Sequence, residues 1–235
     1  YCTHDHRFLK AISDGGHEVF FVQLEGSTRQ VEDRLVPSNV QQVIWKGGRE
    51  PFRWGNLVKL ALDFRRLTRE IKPDLIHAGP IQTCAFIAVL SGFHTIITMS
   101  WGFDLMEDVH KNKWWEYVTK YVMRNTQFFT SDANVTRDKA VMYGMNPEMT
   151  IVFPCGVDLE HFKPETFDLR PFDRLRATPS TFTLFCNRSW EARYGVDVLA
   201  RAFVKVAGQN ENVDLILLSG GSQSANIRRI LQSGG

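Results

Sequence analysis

A chain of 235 residues, 43% hydrophobic and 23% charged, has room for one large or two ordinary domains and is too apolar to be a disordered segment. A net charge of +2 announces neither a nucleic-acid groove nor an anionic membrane, and nucleic acid is excluded as a partner on that ground. The 4 cysteines, Cys2, Cys84, Cys155 and Cys186, lie far apart and form no C-x-x-C or Cys/His cluster, which points to a reducing compartment, the cytoplasm, and to no structural zinc or other metal.

In chain order, the spacing of Phe8, Leu9 and Ile12 predicts a short helix closed by Gly15 and Gly16. A strand over 18–24 follows. The order helix, glycines, strand is the reverse of a phosphate loop, so the glycine pair reads as a helix cap. Residues 40–45 are a second strand, and 46–54 form a glycine-rich, basic, aromatic surface loop. From Asn56, the apolar residues Leu57, Leu60, Ala61, Phe64, Leu67 and Ile71 recur at helical spacing, opposite a solvated row of Lys59, Arg65, Arg66, Arg69 and Glu70. Lys72-Pro73-Asp74 ends this helix.

Residues 75–78 then form a strand, followed at once by Gly79-Pro80 and a helix over 82–91. The apolar run 83–99 is long enough to raise a membrane span, but Ser91, Gly92 and His94 divide it into a helix and a strand, and no leader segment is expected either. The same unit recurs as strand 96–99, the loop SWGFDLMEDVHKN and a helix over 113–124, then strand 127–130 with a helix over 136–143, then strand 150–153. Repeated β-α-β units of this size predict a parallel sheet, doubly wound, with its strand-to-helix loops at one edge. That rule places His77, Gly79, Trp101, Gly102, Asp104, Ser131 and Asp132 on one rim. His77 is eligible for proton transfer because its ordinary pKa lies near neutrality, while Asp132 reads equally well as the cap of the helix after it. Trp114, Trp115, Tyr117, Val118, Tyr121 and Val122 crowd the helix over 113–124 beside Lys111, Lys113 and Lys120; core packing is the first reading and peripheral membrane contact the second.

The stretch IVFPCGVDLEHFKP, 151–164, is the pivot of the chain. A strand stops at Pro154, a Pro-Cys-Gly turn follows, and a linker without helical or strand period runs over 163–180. Beyond it, strand 182–185 leads through Asn187 and Arg188 to a helix from Val196, with Leu199, Phe203 and Val206 inward. Strand 215–218 then meets Ser219-Gly220-Gly221-Ser222 and a helix over 225–231. Small residues between a strand and a helix let amides approach an anion, although a tight turn with a cap explains the same residues.

Four blocks in this order carry a resemblance. VFPCGVDLEHFKP resembles the I-P-N-G-V-D-x-x-x-F-x-P signature of family 4 of the nucleotide-sugar-dependent glycosyltransferases. GGHEVFFV resembles that family's G-H-E-V strand, SWGFDL its H-G-x-D loop, and CNRSWEARYGVDVLARAF its G-R-L-x-x-x-K-G-x-x-x-L-x-x-A-F stretch. The resemblance covers almost the whole chain and implies the α/β GT-B fold: a Rossmann-like acceptor domain over 1–162, a linker over 163–180, and the beginning of a Rossmann-like donor domain over 181–235. It also implies truncation at both ends, with the first strand, central in the acceptor domain's sheet, expected before Tyr1 and the paired-glutamate segment expected after Gly235. Exposed strand edges, and marginal stability of the isolated piece, go with that expectation.

The implied activity is transfer of a sugar, with retention, from a nucleotide diphosphate sugar to a hydroxyl on a glycan, lipid or small molecule. The parent is the enzyme, without cofactor or metal, and the isolated piece is expected to be inactive. Asp104 and His77 carry the catalytic expectation, Trp101 and Gly102 the acceptor side, and Arg188, Arg193, Gly220 and Gly221 the donor diphosphate. There are two departures. Trp101 stands where the family has a histidine, and alignment on Gly195 puts Tyr194 where a phosphate-binding lysine is expected, with Arg193 one place earlier. A guanidinium can replace that lysine, whereas a tyrosine supplies no charge. A sugar-nucleotide epimerase of the same fold and a non-catalytic nucleotide- or carbohydrate-binding module are the alternatives. The location implied is the cytoplasm, with peripheral contact at the inner membrane face as its variant.

Overall fold

A computed structural model describes residues 1–24, 32–49, 52–154, 156–157, 159–160, 181–218 and 220–233. Cys155, Ser219 and the linker expected over 163–180 lie outside the described residues. The chain divides into two compact units, Tyr1–Gly156 and Val157–Gly235. The division falls within the pivot stretch.

Unit 1 opens with α1 (Thr3–Asp14), whose first turn is tied by the Cys2 amide donating to Asp5 Oδ2 at 2.8 Å and whose last turn closes on Gly15. Then come β1 (Val19–Val22), β2 (Val40–Val43), α2 (Leu57–Ile71), β3 (Ile76–Ala78), a π-helical turn over Ile81–Ala85 running into α3 (Phe86–Leu90), and β4 (Ile96–Met99). The short α4 (Phe103–Met106) lies in the loop that the sequence reads as irregular. The unit ends with α5 (Lys113–Asn125), β5 (Phe128–Ser131), α6 (Asn134–Met142) and β6 (Thr150–Val152).

Every strand pair is parallel. β3, β4, β5 and β6 lie side by side in that order, with Ala78 opposite Thr98, Met99 opposite Thr130 and Ser131 opposite Val152. β1 and β2 pair only with each other, apart from the four-stranded sheet. Among the described residues no strand lies on the open edge of β1 or of β3. Instead Leu9 of α1 packs with Val40, Val19 and Phe21 against that small sheet. The main core lies along the four-stranded sheet, where Phe129, Ile96, Ile81, Leu105, Val118 and Val122 are all fully buried. Burying each such aliphatic or aromatic side chain contributes about 1.5–3 kcal/mol.

Unit 2 contains β7 (Phe182–Cys186), α7 (Val196–Ala207), β8 (Val213–Leu217) and α8 (Ser224–Gln232). β7 and β8 form a parallel pair, and a small core of Trp190, Val196, Ala200 and Ile227 packs beneath the helices. Both units therefore show the strand-helix-strand unit expected of them.

Candidate functional site

Parallel pairing brings the carboxyl ends of β3, β4, β5 and β6 to one edge of unit 1, and the loops leaving that edge are bound to one another. The knot is Asp104. Its Oδ1 accepts from the Ser100 hydroxyl at 2.6 Å and the Leu105 amide at 2.9 Å, while Oδ2 accepts from the Trp101 amide at 3.1 Å and the Ile81 amide at 3.3 Å. One carboxylate thus ties the loop after β4 to the turn after β3. Gln82 adds a second tie, its amide nitrogen donating to the Asp104 carbonyl at 2.8 Å and to Thr119 Oγ1 at 2.9 Å. Asp104 has no exposed surface, and burial raises its pKa from the ordinary 3.8 against the opposing pull of those four hydrogen bonds.

Two glycines let this loop close. Gly102 has φ +83°, a conformation that side chains resist, and its amide donates to the Ser100 hydroxyl at 3.1 Å. At Gly79 a Cβ would sit 2.6 Å from the Met99 carbonyl and 2.7 Å from Trp101 Nε1, so the indole lies directly on the backbone there. Trp101 Nε1 is buried and has no hydrogen-bond partner among the described residues.

His77 and Trp101 meet α1 across the rim. The His4 ring stands edge-on to Trp101 at 5.8 Å, and Phe8 is edge-on to His77 at 5.6 Å and to Phe153 at 6.2 Å. His77 is itself exposed, but the protein around its base withdraws water, and this desolvation lowers the imidazole pKa from 6.5. Its open side limits that effect. The capping expectation for Asp132 is not met: the residue before α6 is Ala133, and its carbonyl accepts from Thr136 Oγ1 at 2.7 Å. Asp132 is exposed on the rim, with no hydrogen bond or ion pair to a described residue.

The structure therefore brings His77, Gly79, Trp101, Gly102 and Asp104 together, and it turns the Asp104 carboxylate inward. Sequence reasoning missed His4, Phe8, Ser100 and Gln82. A polar pair flanking a glycine, Ser100 and Asp104, was the available signal for the loop; nothing local marks His4 or Phe8 as neighbours of a rim made by strands far along the chain.

In unit 2, Arg188 follows β7 and Arg193 lies in the tight turn Ala192–Tyr194. Both guanidiniums stand over the Tyr194 ring, at 5.6 and 5.7 Å from its centroid. The Gly220–Gly221 turn is tied to the same loop, the Trp190 amide donating to the Gly220 carbonyl at 3.0 Å. At Gly221 a Cβ would come within 2.6 Å of Glu191 Oε1 and 2.8 Å of the Trp190 carbonyl, so this glycine serves close packing. Two amides of the turn are already engaged: Gly221 donates to Ser224 Oγ at 3.0 Å and Ser222 to Glu191 Oε1 at 2.9 Å. Charge at this edge accordingly resides on the arginines rather than in the glycine turn. Among the described residues no three His, Cys, Asp or Glu side chains gather as a metal site, and no helix is long and apolar enough to cross a membrane.

Residues 2–133 match the family described as glycosyl transferase 4-like. No curated protein sequence matches the chain. Among solved structures, sucrose-phosphate synthase from Thermosynechococcus elongatus is similar over 98% of this chain and 61% of its own, with 17% identity and a TM-score of 0.65. Anabaena HepE, solved with UDP and glucose, is similar over 83% of this chain and 52% of its own, with 15% identity and a TM-score of 0.59. The lipopolysaccharide outer core galactosyltransferase WaaB, solved in its apo form, is similar over 88% and 53%, with 14% identity and a TM-score of 0.56. The chain thus spans roughly half to three-fifths of the length of these proteins, and the likeness shows a shared fold, the GT-B architecture of Rossmann-like units. Matched over more than half its length, with the loop of Ser100 to Asp104 folded onto the strand edge, the chain belongs to the glycosyl transferase 4-like family.

Proposed function

We propose that the protein transfers a sugar, with retention, from a nucleotide diphosphate sugar to a hydroxyl acceptor. The observation that carries this reading is the Ser100–Asp104 loop, locked by one buried carboxylate at the carboxyl edge of a parallel sheet, in a chain of this family. HepE, solved with UDP and glucose, supports a nucleotide-sugar donor. Unit 1 offers the acceptor side, with Trp101 as a surface for a sugar or other ring and Gly102 giving the loop its bend. Unit 2 offers the donor side, where Arg188 and Arg193 meet the diphosphate and Gly220 and Gly221 keep the neighbouring turn packed beneath it.

In this reaction the bond from the anomeric carbon to the diphosphate oxygen breaks and a bond to the acceptor oxygen forms. The two guanidiniums stabilise the negative charge that builds on the departing diphosphate, which is the largest part of the catalysis. Desolvation lowers the His77 pKa and favours its neutral ring, which is available for the acceptor's proton. Asp104 acts by holding Trp101 and Gly102 in place. No cofactor or metal is called for.

The test is to incubate the full-length parent protein with a panel of UDP-, GDP- and ADP-sugars and hydroxyl acceptors, and to follow the product's anomeric configuration by NMR. Release of nucleoside diphosphate with a glycosylated acceptor of unchanged configuration is expected; donor hydrolysis alone, or no turnover with any pair, counts against transfer. A second reading, a carbohydrate-binding module without transfer, rests on Trp101 standing where the family has histidine; sugar binding without turnover is its signature.

We place the protein in the cytoplasm, since four cysteines far apart in the sequence, with no C-x-x-C spacing, suit a reducing compartment. Trp114 and Tyr117, 47% and 55% exposed, support peripheral contact with the inner face of a membrane. Co-sedimentation with anionic lipid vesicles that disappears in Trp114→Ala is the expected result; equal sedimentation of the variant removes that role.

A further inference from the structure

Alignment on Gly195 puts Tyr194 where a phosphate-binding lysine is expected, and its surroundings are unusual in charge. Arg188 reaches it from the end of β7 and Arg193 from the preceding residue, so two cations share one ring. Neither guanidinium has a hydrogen bond or ion pair with any described residue. The nearest acid in sequence, Glu191, is committed elsewhere, since its two oxygens bond the amide and the hydroxyl of Ser222. Those bonds, with a smaller contribution from the charge of Arg193, hold the Glu191 pKa below its usual range. Tyr194 is 44% exposed and stands outside the core of Trp190, Val196, Ala200 and Ile227, so packing does not account for the ring.

Two like charges gathered without a carboxylate bonded to either repel each other, and a shared aromatic face offsets only part of that repulsion. A bound anion with several oxygens completes the arrangement, because each guanidinium fork matches a pair of phosphate oxygens. A lysine at this position would deliver one charge by itself. A tyrosine delivers none, but its ring restrains two flexible arginines that each carry one.

We infer that Tyr194 is a positioning residue that holds Arg188 and Arg193 as a paired guanidinium site for a diphosphate. This rests on the reading, given above, that the carboxyl edge of β7 and β8 takes the donor. The substitution at the lysine position is then a change of means, with one direct charge replaced by a ring that organises two.

The test uses isothermal titration of the whole chain with UDP and, separately, with inorganic pyrophosphate. Tyr194→Phe keeps the aromatic face and is expected to bind both within about twofold of the unaltered protein. Tyr194→Leu has comparable bulk without the face, and is expected to lose about threefold to tenfold for both probes, with an unchanged melting temperature in their absence. A purely structural role would move the melting temperature and would not be rescued by phenylalanine. Binding by Tyr194→Leu equal to the unaltered protein, with loss on Arg188→Ala, overturns the role of the ring and leaves the donor site standing. Absence of binding by the unaltered protein, or equal binding by Arg188→Ala, overturns the donor site itself. Equal losses in Phe and Leu variants also overturn the inference, since they assign the effect to the phenol hydroxyl.

Discussion

Asp104 illustrates how a residue can belong to a functional loop without presenting its charge there. Both carboxylate oxygens accept two hydrogen bonds, so Asp104→Asn puts an NH2 group against the amides of Trp101 and Ile81, which are donors themselves. Leaving those buried amides without an acceptor costs about 1–3 kcal/mol, and urea unfolding should show a loss of that size. The pH dependence has a definite sign. Burial raises the folded-state pKa above 3.8, so the folded state holds its proton to higher pH than the unfolded chain. The group's contribution is present below the unfolded pKa and is lost as pH rises through the folded one. Asparagine does not titrate, so the stability difference between the unaltered protein and Asp104→Asn should be widest below pH 3.8 and shrink as pH rises toward neutrality. His77 has the opposite sense. Its lowered pKa makes its contribution complete above 6.5 and lost as pH falls toward the folded value, and an NMR titration of its ring should show a midpoint below 6.5. A midpoint at or above 6.5 would show that burial does not lower this pKa. At this scale the sequence named the rim residues but not their orientation: nothing in SWGFD tells an outward carboxylate from one folded back onto four donors.

Among the elements, long periodic stretches were legible and short ones were not. The apolar spacing from Leu57 to Ile71 and the crowded aromatics of α5 produce helices where the pattern expects them. By contrast α4 spans only Phe103–Met106, too short to show a period, and it exists because Asp104 binds its first turn while Leu105 is fully buried. Strand character is local, but pairing depends on which edges meet, and β1 and β3 do not. The start of α5 provides a sharp test of element stability. Asn112 Oδ1 accepts from the Trp114 amide at 3.0 Å and the Trp115 amide at 3.1 Å, satisfying two of the free donors of the first turn. Those residues also anchor the aromatic cluster, with Trp54 5.8 Å from Trp114 and 5.7 Å from Trp115. Asn112→Ala should cost about 0.5–2 kcal/mol in urea unfolding, whereas Asn112→Asp, which keeps the acceptor, should lose much less. Equal losses in the two variants would show that the side-chain oxygen is not what secures the helix.

For the whole molecule the separation into two units has a thermodynamic consequence. Among the described residues each has its own buried cluster, and they differ in size: unit 1 closes around Phe129, Ile96, Val118 and many neighbours, while unit 2 closes around Trp190, Val196, Ala200 and Ile227, and no residue of β7 or β8 is fully buried. Chains of more than one domain commonly depart from two-state unfolding, and the unit with less buried apolar surface should melt first. Tryptophans separate the two events. Trp45, Trp54, Trp101, Trp114 and Trp115 lie in unit 1 and only Trp190 in unit 2, so fluorescence reports mainly the first unit and far-UV circular dichroism reports both. The expected record is an early dichroism transition with little fluorescence change, followed by a later one in which both move. A donor nucleotide adds a second axis. If Arg188 and Arg193 hold its diphosphate, UDP at about 100 times its Kd stabilises the early transition by about 2.7 kcal/mol and leaves the late one in place. Coincident transitions that move together with nucleotide would mean that the two units unfold as one, and a shift of the late transition alone would move the donor site from the arginines to the rim of His77 and Trp101.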